Sequence, residues 1–186
     1  MANDLQENDG SQINLDDEYV NRLVEVDPGM LNGTPNSVTH DYGRNRDCNE
    51  NEVELVFSYG AVSVCVPIDE TVLNLSPCSG EYCLNPLTGP IPPEIGQLTN
   101  LVELHLQGND LILPFPSEMA NLTNLTYLNL STNSLYGGGE YFEILCELTN
   151  LEELWLYGTG ISSLPNSINQ LKNLKNLRLE LNNLFE

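Results

Sequence analysis

The sequence predicts an α/β-type repeat solenoid. It would be a short curved stack of similar units, with a parallel β-sheet on its concave side and an irregular or short-helical convex side. Three observations predict this. Leucine is segregated, with 27 of the 32 leucines lying after residue 72. The tetrapeptide Leu-Thr-Asn-Leu recurs at 98–101, 122–125 and 148–151, and Leu171-Lys-Asn-Leu174 follows, in steps of 24, 26 and 23 residues. Three residues beyond each comes a Leu-x-Leu pair: Leu104/Leu106, Leu128/Leu130, Leu154/Leu156 and Leu177/Leu179. A fixed period in this range marks stacked units, none of which buries its leucines without neighbours.

Each element of the unit has a physical task. The Leu-x-Leu alternation is that of a strand with one buried face. The tetrapeptide closes the preceding turn onto the same core. Three residues past each pair stand Asn109, Asn133, Thr159 and Asn182. The chain leaves the strand there, and its backbone groups would go unpaired. An asparagine amide both donates and accepts, so a row of them satisfies successive turns as a ladder. Thr159 has a single hydroxyl, which predicts a local weakness in the third unit. Leu111, Leu135, Ile161 and Leu184 then return the chain to the core.

These positions match L-x-x-L-x-L-x-x-N-x-L, and over residues 72–186 the chain resembles the leucine-rich repeat family, with about four to five units. The stretch Leu87-Thr-Gly-Pro-Ile-Pro-Pro-Glu-Ile-Gly-Gln-Leu98 resembles the plant-type repeat of receptor-like ectodomains. Later units depart from it, with Pro114-Phe-Pro116 in one and Leu164-Pro165 in another. A third carries Tyr136-Gly-Gly-Gly-Glu-Tyr141, which reads as an insertion, and residues 142–148 read as a helical turn on the convex side. The resemblance implies a cysteine-containing N-terminal cap. Gly60-Ala-Val-Ser-Val-Cys65 is similar to its final segment, which places the cap at 47–71. It further implies pairings Cys48–Cys65 and Cys78–Cys83, leaving Cys146 free. No convex return follows Leu184, so further repeats or self-association at that edge are expected.

Residues 1–70 differ, holding 15 acidic residues against 3 basic ones. Residues 1–46 have the charge and polarity of a disordered arm. Within them, residues 14–26 fit a short helix capped by Asn14, either solvated or folding on a partner. The whole chain has 27 acidic and 6 basic residues, a formal charge of −21. That balance excludes phosphate-driven nucleic-acid binding and docking on an anionic membrane. No apolar run reaches the roughly 18 residues of a membrane span. The first residues lack the pattern of an export signal. The expected compartment is cytoplasmic if the chain is complete, and extracellular or membrane-attached if it is a fragment. Sequons occur at Asn32, Asn74, Asn121, Asn124 and Asn129, a triplet such repeats generate by composition.

Catalytic chemistry is not legible. The two histidines, His40 and His105, lack a Ser or Cys partner arrangement. Gly137-Gly-Gly139 lacks the Lys-Ser/Thr of a phosphate loop. No cofactor or metal is expected, and kinase activity would enter only if the chain is part of a receptor kinase. Binding chemistry is legible. Between the paired leucines stand His105, Asn129, Trp155 and Arg178; on one side lie Glu103, Tyr127, Glu153 and Asn176, on the other Gln107, Ser131, Tyr157 and Glu180. Parallel pairing turns each set into a row facing water. The only Trp therefore lies beside Tyr127, Tyr157 and Arg178, a composition typical of interface hot spots. Glu103, His105, Tyr127, Asn129, Glu153, Trp155, Tyr157 and Arg178 are thus the expected partner-binding residues. The expected function is a non-catalytic protein- or peptide-binding module. Its alternatives are a truncated ectodomain of a receptor-like protein or receptor kinase in signalling or defence, and a cytosolic scaffold with an acidic regulatory tail. Lys172, Lys175 and Arg178 would attract an acidic partner, or the acidic arm in cis.

Overall fold

The computed structural model describes residues 47–57, 62–77 and 86–184. The acidic arm, its residue 14–26 segment, Asn32, His40, Cys78 and Cys83 lie outside these. Among the described residues no helix is long and apolar enough to cross a membrane.

An antiparallel hairpin comes first. Strands β1 (Glu52–Phe57) and β2 (Val62–Pro67) pair with Glu54 opposite Cys65. Period-two alternation sends Val53, Leu55 and Phe57 inward, while Glu54 and Val56 face out. Cys48 and Cys65 form a disulfide that ties the segment before β1 to β2. The hairpin's inner face joins the same continuous core as the repeats. This covers the apolar edge that the first unit of a stack would otherwise expose.

Five short strands follow in one parallel sheet: β3 (Val72–Asn74), β5 (Glu103–His105), β7 (Tyr127–Asn129), β8 (Glu153–Trp155) and β9 (Asn176–Arg178). The register aligns Leu73, Leu104, Leu128, Leu154 and Leu177 in one inward row. All five are at least nine-tenths buried, and Leu106, Leu130 and Leu156 make a second row beside them. A parallel pair of β4 (Thr88–Pro90) and β6 (Asp110–Ile112) lies outside this sheet, with a bridge between Gly137 and Ile161 in later units. It begins in the Leu-Thr-Gly-Pro-Ile-Pro segment, whose pairing the repeat period alone does not announce.

The outer layer is a stack of 3-10 turns at Pro93–Gln97, Ser117–Asn121, Gly139–Glu147 and Asn166–Gln170. Pro92, Pro116 and Pro165 precede three of them with φ of −70°, a value the pyrrolidine ring sets in advance. The third turn is nine residues long where the others have five. It absorbs the extra residues after Tyr136. Adjacent turns approach closely at two glycines. A Cβ on Gly96 would lie 2.4 Å from the Glu118 carbonyl oxygen, and one on Gly139 would lie 2.6 Å from that of Leu164.

Two hydrogen-bond ladders join the units. On the inner one, Asn109 Nδ2 donates to the carbonyls of Leu75 and Leu106, and its Oδ1 accepts from the Leu87 N–H. Asn133 repeats this with Leu106, Leu130 and the Leu111 N–H. Asn182 donates to Leu156 and Leu179 and accepts from Thr159 and Gly160. Thr159 differs: its hydroxyl lies 3.0 Å from the Leu156 carbonyl of its own unit and from Asn182 Oδ1 of the next, reaching nothing in the unit below, and the Leu135 N–H goes to the Thr159 backbone carbonyl instead. The link to the unit below is therefore shorter by one side-chain donor. Thr159→Asn is expected to raise stability by about 1 kcal/mol, the usual net value of one internal hydrogen bond. Denaturant midpoints of the two proteins would check it, and an unchanged or lower midpoint would contradict it. The outer ladder was not foreseen from the sequence: Asn124, Asn150 and Asn173 donate to the carbonyls of Thr99, Thr123 and Thr149. The third residue of the recurring tetrapeptide carries it, so the signal was present in the repeat.

Candidate functional site

The outward face of the five-stranded sheet carries three rows. Register sets Asn74, His105, Asn129, Trp155 and Arg178 side by side, and Val72, Glu103, Tyr127, Glu153 and Asn176 beside them. Backbone bonds continue the pairing beyond the strands, from Gly108 to Ser131, Thr132 to Tyr157 and Gly158 to Glu180. Gln107, Ser131, Tyr157 and Glu180 thereby form the third row. Neighbouring strands lie about 4.8 Å apart, so side chains in one row touch.

The rows are not equally open. His105 and Asn129 sit at the expected register positions but are only 3 % and 5 % exposed. The expectation that both face water is corrected by the side chains around them. The Tyr127 ring lies 4.6 Å from the His105 ring, and its hydroxyl accepts from Asn129 Nδ2 at 3.1 Å. Asn129 Oδ1 accepts from the Ser131 N–H at 3.0 Å. A large ring on one strand thus roofs smaller residues on its own and the adjacent strand. Trp155, Tyr157 and Arg178 remain half-buried, as do Glu103, Tyr127 and Glu153.

Aromatic contact runs along the face. The His105, Tyr127 and Trp155 rings follow one another, with Tyr127 and Trp155 centroids 5.7 Å apart. The Arg178 guanidinium lies 5.8 Å from the Trp155 ring centre, within cation–π range. Polar tips are held by neighbours two residues away in the chain. His105 Nε2 meets Glu103 Oε2 at 3.0 Å, Trp155 Nε1 donates to Glu153 Oε2 at 3.0 Å, and Arg178 donates to Glu180 at 3.3 Å. These contacts limit side-chain freedom before any partner arrives. Lys175 pairs with Glu152 at 2.8 Å. With carboxylates of the chain beside both Lys175 and Arg178, that end of the face is less cationic than its composition suggests.

Burial pushes the Tyr127 hydroxyl up to about 12, helped by the nearby Glu153 and Glu103 charges and opposed by the Asn129 hydrogen bond. The folded protein therefore keeps this proton in a range where an unfolded tyrosine, at about 10, has lost it. Stability is accordingly lost as pH rises from about 10 through 12. Ring carbon-13 resonances of tyrosine, followed against pH, are expected to show Tyr127 titrating well above the ordinary tyrosine value. A Tyr127 midpoint at the ordinary value would contradict the packed geometry.

In the third row the expectation of facing water is corrected for Ser131, which is buried, and Gln107 Oε1 and Ser131 Oγ are covered without a hydrogen-bond partner among the described residues. No pattern distinguishes them, because covering side chains rather than spacing bury them. No Ser or Cys side chain is hydrogen-bonded to His105 among the described residues. Cys48, Glu52 and Cys65 are the one group among them close enough to hold a metal, and its two sulfurs are bonded to each other. Cys146 is a free buried thiol, raised in pKa by burial.

No family model matches the chain, and no curated protein matches it. Solved structures do. The LRR ectodomain of the Arabidopsis receptor kinase HAESA, in complex with an N-terminally extended IDA peptide hormone ligand, is 34 % identical over 60 % of this chain and 18 % of that one, with a TM-score of 0.48. A TDR receptor is 32 % identical over 53 % of this chain and 17 % of that one, at 0.47. The LRR ectodomain of the receptor kinase SOBIR1 from Arabidopsis thaliana is 23 % identical over 74 % and 84 % of the two chains, at 0.42. The chain spans less than a fifth of the length of the first two. The repeated architecture of this chain stands on its own strand register and asparagine ladder.

Proposed function

We propose that this chain is a non-catalytic leucine-rich repeat module that binds a protein or peptide on the outward face of its parallel sheet. Residues 47–71 would cap the array, residues 72–186 would form it, and residues 1–46 would be an acidic arm outside it. The observation that carries the reading is the cluster of Tyr127, Trp155 and Arg178 on three successive strands, with Trp155 in contact with both others and all three half-buried. Large rigid aromatics beside an Arg bury much area at low entropic cost, which is how interface anchors work. Tyr157, in the next row on the Trp155 segment, extends the patch, and Glu103 and Glu153 hold the His105 and Trp155 rings. His105 and Asn129 act beneath it as supports, since little of either can be touched from outside.

Charge selects the partner's character. Glu103, Glu153 and Glu180 outnumber Arg178 on this face, and the chain as a whole carries −21. A neutral or basic peptide with an aromatic or aliphatic anchor suits that field better than an acidic one. The Cys48–Cys65 disulfide favours an oxidising compartment, and hence the ectodomain reading over a cytosolic scaffold. A random-peptide display library selected on the full chain tests the proposal. Enriched peptides should bind the Trp155→Ala protein far more weakly, and bind a variant altered on the outer layer, such as Glu118→Ala, as well as the parent. Peptides indifferent to Trp155 would place the binding surface elsewhere.

A further inference from the structure

We propose that Asn121 is an N-glycosylation site, and that the sequons on the strand face, Asn74 and Asn129, stay bare. The sequence offers these triplets without ranking them, and the structure separates them by what each amide does. Asn121 closes the 3-10 turn Ser117–Asn121 in the outer layer. Both Asn121 and Thr123 of its sequon are exposed, and the Asn121 side chain has no hydrogen bond among the described residues.

At each of the other described sequons at least one amide atom is already hydrogen-bonded. Asn124 Nδ2 donates to the Thr99 carbonyl at 2.9 Å as part of the outer ladder, and the Thr126 hydroxyl of that sequon donates to Val102. Asn129 is 5 % exposed, with Nδ2 bonded to Tyr127 and Oδ1 to the Ser131 N–H. A glycan on Asn129 would have to displace the Tyr127 ring. Asn74 lies half-buried in the central row beside His105, and its Oδ1 accepts from both the Ser76 N–H and the Ser76 hydroxyl.

The transfer joins C1 of an oligosaccharide to Asn121 Nδ2. The amide gives up one proton, the bond from C1 to the pyrophosphate of a lipid-linked donor breaks, and the lipid pyrophosphate leaves. No oxidant or reductant enters. The donor is met in the export pathway, which is also where a disulfide such as Cys48–Cys65 forms and persists. Attachment precedes or accompanies folding, so the selection acts on the product. A chain carrying a glycan on Asn129 cannot close its sheet face, whereas one carrying it on Asn121 folds with the bulky group in solvent. The glycan then occupies the outer layer and leaves the opposite, strand-bearing layer open.

The test is site occupancy in the full chain, expressed behind an export signal in a eukaryotic cell. The disulfide-bonded fraction is collected from medium and lysate alike. Peptide N-glycosidase in heavy-oxygen water converts each occupied Asn to labelled Asp, read by peptide mass. Label is expected at Asn121 and absent at Asn74 and Asn129. Asn121→Gln should abolish that label's glycan mass while leaving the thermal midpoint of the deglycosylated protein unchanged. An unlabelled Asn121, or label at Asn74 or Asn129, overturns the proposal. None of these outcomes depends on whether a partner docks at Trp155.

Discussion

Asn133→Ala is expected to cost about 4 kcal/mol, because it strands two buried groups at roughly 1–3 kcal/mol each and takes one of two donors from a third, the Leu106 carbonyl, which keeps Asn109 Nδ2. The Leu106 and Leu130 carbonyls lose a donor, and the Leu111 N–H loses its acceptor. At a few degrees per kcal/mol for a chain of this size, the thermal midpoint should fall by about 10 °C. Asn133→Thr is the informative companion. Position 159 shows that a threonine keeps the carbonyl bond within its unit and gives up the one to the unit below. The Thr variant should therefore fall between parent and Ala. If Ala and Thr were equally costly, the ladder bond within the unit would contribute nothing. If Ala were neutral, the asparagine row would be a correlate of stacking and not one of its causes.

Trp155→Ala should weaken partner binding by at least about 2 kcal/mol, roughly thirtyfold, the range of a central aromatic anchor. The loss has two parts. Indole contact area disappears, and Tyr127 and Arg178 lose the ring that each packs against. Trp155→Phe should recover most of the second part and only some of the first. Fold integrity is read separately, since Leu154 and Leu156 on either side hold the strand in the core. The single Trp also provides the measurement, because its fluorescence belongs to this site alone. A partner whose affinity is the same for parent and Ala proteins, with the thermal midpoint retained, would remove the face from consideration.

The repeat was legible because its causes are periodic. A leucine is needed wherever the chain crosses the core, an asparagine wherever it leaves the strand, and both recur with the unit. Spacing alone therefore determined the parallel order, the inward rows and the identity of the outward rows. It did not determine which outward residues meet solvent. His105 and Asn129 occupy the same row as Trp155, yet a ring from the adjacent row covers them and leaves the indole half open. Charge behaved similarly: Lys175 and Arg178 are conspicuous in composition, but carboxylates of the chain stand beside both. For Asn129 and Arg178 the cover or counter-charge comes from a residue two positions away; for His105 and Lys175 it comes from a neighbour about two dozen residues away in the chain. The stack brings that neighbour to within about 5 Å, and no local pattern encodes its cover. Periodic burial is a property of the chain; the accessible site is a property of the contacts made once it has stacked.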